Sequence, residues 1–185
     1  MQINSNVESF VLHFGEMGSR WGFNRTVGQI LALLVLTPEA LTADQIAGAL
    51  KISRGNVSMA VKELQSWQLI RVSHQPGDRK DYYAPAGSFW ELAKTVFEQR
   101  RLREVDPTMS LLRDFLINGD SDDNDEFVQQ QVRELHDLLE LLTSWGDQLN
   151  GLSADQLKRL MMLGSGVGKI LDLKDKLVKV VSADE

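Results

Sequence analysis

The chain has 185 residues, of which 43% are hydrophobic and 25% charged, and its formal net charge is −6. These proportions are those of an ordinary globular protein, and every apolar run is shorter than the roughly 18 residues that a membrane helix needs. Cysteine is absent from the sequence, which excludes a disulfide framework, a thiolate nucleophile and a cysteine metal site. The first residues lack the pattern of a signal peptide, so we expect a cytoplasmic protein with no membrane partner.

The charge is distributed unevenly along the chain. Residues 51–80 hold six lysines and arginines against Glu63 and Asp78, a local net charge of +4, whereas residues 87–185 hold 12 basic against 19 acidic residues, a net −7. A basic patch on an acidic protein is a typical electrostatic footprint for nucleic acid. We therefore expect the middle of the chain to contact a polyanion, with an affinity that falls as salt rises.

Two helices are expected before the basic patch. Apolar residues follow a helical period from residue 3 to about 18, and "GSRWGFNR" then breaks the pattern. A second helix is predicted from about Arg25 to Leu36, because Thr37-Pro38 stops it.

The next two helices have clear start signals. Thr42 and Gln45 form a capping box in front of a helix at 43–50, and Ser53 is the expected N-cap of a helix at 54–66. Only about three residues separate the two helices, whose apolar positions point to one shared core. This arrangement predicts a helix-turn-helix.

A β-hairpin is predicted to follow. The stretch "LIRVSH" alternates like a strand, Pro76-Gly77-Asp78 turns the chain, and "KDYYA" alternates back. A helix-turn-helix followed by such a hairpin is a winged helix, so the predicted fold is mainly α, an α+β winged helix. Arg79 and Lys80 lie at the hairpin tip, where a wing can reach a DNA phosphate or the minor groove.

The remainder of the chain is predicted to be all helical. Helices are predicted at 88–104, 107–117, 125–149 and 153–179, with an acidic connection at 118–125. One apolar stripe in the third of these helices has a period of about 3.5 to 3.6 residues and suits a helical bundle or a dimer seam: Val128, Val132, Leu135, Leu139, Leu142 and Leu149. The expected domains are therefore 1–86, a winged helix-turn-helix with N-terminal helices, and 87–185, a helical dimerisation and effector region.

The predicted recognition helix has a polar outward face. Arginine reads guanine and asparagine or glutamine reads adenine in a major groove, while serine and lysine suit phosphates. The predicted DNA-binding residues of the helix and wing are Ser53, Arg54, Asn56, Ser58, Lys62, Gln65, Arg79 and Lys80. Gly55 is open to two interpretations, the close approach of a phosphate or no role. The alternative for the whole face is a winged helix that binds a protein.

Other sequence features favour binding over catalysis. Aromatic side chains can box a cationic ligand, and Trp21 and Trp90 are the preferred pair among the four tryptophans, although a place in the core is the commoner fate. The three histidines are scattered without a partner at metal spacing, and "GSGVGK" at 164–169 departs from a phosphate-binding loop. We expect no catalytic residues, no metal and no cofactor, and hence no enzyme.

Three motifs carry a family resemblance. They are "WGFNRTVGQILALLVL", "LTADQIAGALKISRGNVSMAVKEL" and the wing "PGDRKDYY", all between residues 10 and 86. In these stretches the sequence resembles the GbsR-type regulators of the MarR-like winged-helix superfamily, whereas the helical tail resembles them only in kind.

The resemblance implies a bacterial or archaeal transcription regulator. It implies a homodimer that places two winged helices on a pseudo-palindromic operator, usually as a repressor. Some members of the family respond to choline or related osmolytes, which implies a small-molecule effector, but no sensor residue can be transferred. Independently, one recognition helix and one wing make few contacts, and a twofold dimer doubles them.

Overall fold

The computed structural model of the protein describes residues 4–118 and 125–164. The chain divides into two compact units, Met1–Glu104 and Val105–Glu185. The first unit therefore continues past residue 86, the expected end of the DNA-binding domain. Within the described ranges, every helix is too short or too polar to cross a membrane.

The elements follow the predicted order. In chain order they are α1 (Ser5–Arg20), α2 (Arg25–Val35), β1 (Leu41–Thr42), α3 (Ala43–Leu50), α4 (Arg54–Ser66), β2 (Ile70–His74), β3 (Asp81–Pro85), α5 (Phe89–Arg100), α6 (Asp106–Asn118) and α7 (Asp125–Asn150). The prediction of a mainly α winged helix is confirmed.

The capping residues predicted from sequence determine where α3 and α4 begin. The Thr42 hydroxyl accepts from the backbone N–H of Gln45, and the Gln45 side chain in turn accepts from the backbone N–H of Thr42 at 2.7 Å. The Ser53 hydroxyl accepts from the backbone N–H of Asn56 at 3.2 Å. Each cap satisfies helix N–H groups that have no partner inside the helix, which stabilises the start by about 1 kcal/mol.

A three-stranded antiparallel sheet of order β1-β3-β2 completes the winged helix. The hairpin of β2 and β3 was predicted, with Val72 opposite Tyr83. The short strand β1 was not predicted: its two residues pair with Tyr82 and Tyr83 of β3. Two residues are too few to show an alternating pattern, so in the sequence Thr42 signals only a helix cap.

The core of the first unit lies between α1, α2, α3 and α4, with α5 at one side. Ile30, Leu33, Ile46 and Leu64 have no exposed surface. Helices α1 and α2 approach closely at Gly28, where an added Cβ would lie 2.8 Å from the backbone oxygen of Phe14. A larger residue at this position would therefore force the two helices apart.

The second unit contains α6, α7 and a helical stretch at 154–164. In place of the predicted helix 88–104, α5 ends at Arg100 and a π-helical segment, Arg101–Val105, precedes α6. Most of the predicted acidic connection lies outside the described residues. So do the part of "GSGVGK" after its first glycine and the end of the helix predicted to reach residue 179.

Candidate nucleic-acid interface

Helix α4 has one buried and one exposed face. Its buried side packs Val57, Ala60, Val61 and Leu64 into the core. The predicted DNA-binding side chains of the helix are all exposed: Ser53, Arg54, Asn56, Ser58, Lys62 and Gln65. The neighbouring Met59 is also 66% exposed. The helix therefore presents a continuous polar surface that starts at its N-terminus.

Arg54 is held in an ion pair rather than standing alone. Its Nε lies 2.6 Å from a carboxylate oxygen of Asp44, which belongs to α3. The pair is exposed and so contributes at most about 1 kcal/mol, but it fixes the direction of the guanidinium across the turn of the helix-turn-helix. Sequence reasoning did not find this pair.

Gly55 has open space around it. A Cβ added there would have only the Ser53 hydroxyl within 4 Å, at 3.8 Å. Packing within the chain therefore gives no reason for glycine, and both interpretations of Gly55 remain open.

The wing is built on a tight turn. The backbone N–H of Asp78 donates to the carbonyl of Gln75 at 3.1 Å, and Gly77 has a φ of +82°. Proline at the second position and glycine with positive φ at the third are the requirements of a type II turn. Pro76 and Gly77 thus have a backbone reason to be there, as predicted.

The acidic residues of the wing are engaged within the wing itself. Asp78 accepts hydrogen bonds from the Tyr82 hydroxyl at 2.8 Å and from the backbone N–H of Lys80 at 3.0 Å, and both lower the pKa of its carboxyl group. The same contact raises the pKa of Tyr82. Asp81 lies 2.9 Å from His74.

The cations of the wing point outward. The side chains of Arg79 and Lys80 are exposed, and neither forms an ion pair with any residue in the described ranges. Neither Asp78 nor Asp81 forms an ion pair with these cations, so the wing presents both cationic side chains to solvent.

A second feature of the first unit is an apolar cavity of about 410 Å³. Its wall comes mainly from α1, α2 and α5, with Leu64 of α4 and Leu69 at one side. The wall includes five aromatic side chains: Phe14, Trp21, Phe23, Phe89 and Phe97. Trp90 is not part of the wall, so the cavity brings only one member of the expected tryptophan pair into a site. The indole N–H of Trp90 is buried without a hydrogen-bond partner among the described residues.

The histidines differ from the expectation in one respect. His136 lies on α7 with Asp137 and Glu140, and one ligand atom from each falls within 4.8 Å of the others. The sequence predicted no partner at metal spacing for any of the three histidines. The two acidic residues are exposed, and such groups are common without a metal ion.

Comparison with known proteins agrees with this architecture. The sequence model of the MarR family matches residues 21–81. The HTH-type transcriptional repressor GbsR of Bacillus subtilis (strain 168) is 23% identical over 137 residues, which cover 72% of this chain and 76% of that protein. The HTH-type protein YvaV of the same organism is 21% identical over 146 residues, 79% of this chain and 82% of that protein.

A solved structure has the same fold. It is a crystal structure of a transcriptional regulator that superposes with a TM-score of 0.64 at 22% identity, over 79% of this chain and 96% of that one. The helix-turn-helix and the wing define a winged-helix protein. The match to the MarR family model over residues 21–81 and this superposition show a winged-helix fold similar to that of MarR-type transcription regulators.

Proposed function

We propose that the protein is a dimeric, GbsR-like repressor that binds operator DNA and is released by a small-molecule effector. Cytoplasmic action on a pseudo-palindromic operator is part of the proposal. The observation that carries it is the pairing of an exposed polar face on α4 with two outward cations on the wing. The GbsR relative, which is named as a repressor, supports the direction of regulation.

Two parts of the surface have different tasks in this proposal. Asn56 and Gln65 on α4 read base edges, since their amides can bind adenine in two places at once. Arg79 and Lys80 on the wing contact phosphate or the minor groove, which gives affinity without sequence preference. Ser53, Ser58 and Lys62 position the helix on the backbone of the duplex. Arg54 reads DNA only through the guanidinium nitrogens that Asp44 leaves available.

Dimerisation is assigned to the second unit and principally to α7. Val128, Leu135, Leu142 and Leu149 recur every seven residues, the spacing of a seam between helices. The first three of them are 42%, 45% and 51% exposed in the single chain. A second copy of the chain would cover this seam and bring two winged helices together on one operator.

The effector is assigned to the apolar cavity. Its volume lies in the range of small-molecule sites, and such sites are mostly apolar. Aromatic walls suit either an uncharged apolar molecule or a quaternary ammonium held by cation–π attraction. The residues that line the cavity include no carboxylate. They do include Leu64 of the recognition helix, so a ligand bound in the cavity can act on α4 directly.

The DNA part is tested by fluorescence anisotropy with DNA from upstream of the protein's own gene, at two salt concentrations. Asn56→Ala should reduce discrimination between specific and random DNA, with a loss of about 1–3 kcal/mol on the specific site. Arg79→Ala should weaken binding to all sequences and lower the salt slope by about one ion. Arg133→Ala, on exposed α7, is the matched control and should change neither.

One result would favour the alternative function, a winged helix that binds a protein. If wild-type protein shows no salt-dependent binding to its own upstream DNA or to pooled genomic DNA, the polar face of α4 serves a protein partner instead.

The effector part is tested with choline, its uncharged carbon isostere and indole. A ligand of the cavity should raise the melting temperature and weaken operator binding in parallel, because binding to one state stabilises that state. Ala93→Leu, which fills part of the cavity from α5, should abolish both effects. If a ligand acts equally on the wild type and on Ala93→Leu, it binds elsewhere.

A further inference from the structure

The C-terminal end of the recognition helix depends on a residue far away in the sequence. Within the last turn of α4, the backbone N–H of Leu69 donates to the carbonyl of Leu64 and that of Gln68 to the carbonyl of Gln65, both at 2.9 Å. This is a Schellman motif, which satisfies two of the carbonyls left open by a helix end. The next carbonyl, of Ser66, accepts from the Arg103 guanidinium at 2.6 Å.

Arg103 also supplies a charge that α4 lacks. The last turn of α4 contains no basic residue of its own, although a cation there interacts favourably with the partial negative charge of the helix end. The Arg103 guanidinium carbon lies 4.4 Å from the ring centroid of Trp67, the C-cap residue of α4. Hydrogen bond, charge and ring contact therefore act together at one helix end.

The same segment holds a second helix end. Arg100 donates to the carbonyl of Trp21, the C-cap of α1, and lies 5.9 Å from the ring centroid of Phe23. The rings of Phe23 and Trp67 are in contact, with centroids 4.5 Å apart. The result is a ladder of four side chains in the order Arg100, Phe23, Trp67, Arg103.

One member of this ladder, Phe23, also belongs to the wall of the apolar cavity. Trp21 and Phe23 line the cavity, as does Leu64 in the last turn of α4. A molecule that displaces Phe23 therefore moves a ring that touches Trp67. Arg103 lies in the π-helical segment Arg101–Val105, and single π-helical turns occur frequently at functional sites.

We propose that Arg103 is a positioning residue for DNA recognition: it fixes the C-terminal end of α4 through Ser66 and Trp67, and the ladder passes a change in the cavity to that end. This inference rests on the proposed DNA-binding function. Arg103 acts through α4 and makes no contact with DNA in this scheme. Its removal therefore changes the angle and rigidity of the reading helix, not the number of phosphate contacts.

The test compares Arg103→Gln and Arg103→Lys with the wild type in operator anisotropy at two salt concentrations. Arg103→Gln should weaken operator binding by about tenfold, because the charge, the hydrogen bond and the ring contact are lost together. Arg103→Lys keeps the charge at the helix end and should recover part of the loss. The salt slope should stay at its wild-type value in both, unlike that of Arg79→Ala.

Two further variants separate positioning from general loss of stability. Ser88→Ala removes the N-cap of α5, costs a similar amount of stability without touching α4, and should leave operator affinity unchanged. Trp67→Leu should weaken operator binding by itself. Adding Arg103→Gln to Trp67→Leu should then cause almost no further loss of affinity, because the two side chains act as one unit.

The outcomes distinguish the two proposals. If wild-type protein binds its operator and Arg103→Gln binds equally well, the positioning role is wrong and the DNA-binding function stands. A fall in the salt slope with Arg103→Gln would make Arg103 a phosphate contact and would also overturn the inference. If Ser88→Ala lost as much operator affinity as Arg103→Gln, the effect of Arg103→Gln would be explained by lower stability alone. If wild-type protein does not bind DNA, the proposed function itself fails.

Discussion

The two compact units use their apolar residues in opposite ways. In the first unit, nine large side chains, among them Ile30, Leu33 and Leu64, are almost completely buried. In the second unit, Met109 and Leu112 are the buried hydrophobic residues of the described part, whereas Ile117, Leu141 and Trp145 are 71%, 67% and 58% exposed. The first unit has a buried hydrophobic core, whereas the described part of the second unit leaves many of its apolar side chains exposed.

The difference supports the proposal that a second copy of the chain covers part of the second unit. Burial of apolar surface is the main favourable term in folding, so the winged helix can be stable by itself. Large contiguous apolar surfaces on a monomer mark interaction sites, and α7 displays one along most of its length. We therefore propose that the first unit binds DNA and that the second unit holds two chains together as a dimer.

The largest expected effect comes from charging the seam of α7. Leu135→Asp with Leu142→Asp should convert the dimer to a monomer, because two carboxylates in an apolar seam cannot be solvated. Operator affinity should fall on the order of a hundredfold, since the second half-site is no longer delivered at high effective concentration. Light scattering gives the mass and anisotropy the affinity.

The matched control introduces the same charges on the polar side of α7. Arg133→Asp with Ser144→Asp, on the exposed face that also carries Asp137 and Glu140, should leave both mass and affinity unchanged. A dimer that survives the seam variant would place the interface elsewhere and remove the contrast between the two units.

The next effect compares one leucine from each unit. Leu33→Ala removes a side chain with no exposed surface and should lower the free energy of unfolding by about 2–5 kcal/mol at every protein concentration. Leu141→Ala should have a cost that grows with protein concentration, because in the proposed dimer the partner chain covers Leu141. Urea denaturation at two protein concentrations measures both. A concentration-independent cost for Leu141→Ala would contradict the assignment.

A smaller effect is a gain of stability at the end of α4. Gln68 has a φ of +58°, a left-handed conformation that costs a non-glycine residue about 1 kcal/mol. Gln68→Gly should relieve this strain and raise the free energy of unfolding by up to about 1 kcal/mol. Gln68→Ala keeps the strain and should show no gain. Equal melting temperatures for the two variants would mean that the turn is not strained.

The sequence was most informative where the signal is local. The capping box of Thr42 and the cap at Ser53 each depend on residues three positions apart, so both helix starts could be predicted. The turn at Pro76-Gly77 is equally local, because proline and glycine each have a backbone reason to be there.

The features that were missed depend on contacts between distant parts of the chain. Strand β1 exists because β3 pairs with it, and nothing in its two residues signals a strand. The contact of Arg103 with Ser66 joins residues 37 positions apart, and no local pattern signals the π-helical turn that carries Arg103. The cavity is likewise a property of packing: the sequence suggested an aromatic site at Trp21 and Trp90, but spacing alone could not show that Trp90 lies outside the wall.

The smallest expected effect concerns the carboxyl group inside the wing. Because Tyr82 and the Lys80 backbone hold the pKa of Asp78 below its ordinary value of 3.8, the stabilisation from Asp78 is present above that value and is lost as the pH falls through the folded-state pKa. Near neutral pH, the charge of Asp78 should therefore stay constant and should not make DNA binding depend on pH. Tyr82→Phe should move the pKa of Asp78 upward, which a carbon NMR titration of the carboxyl group detects. Tyr83→Phe, whose hydroxyl lies 3.4 Å from Asp81 instead, should leave the pKa of Asp78 in place, and an equal shift in both variants would show that the Tyr82 hydroxyl is not its cause.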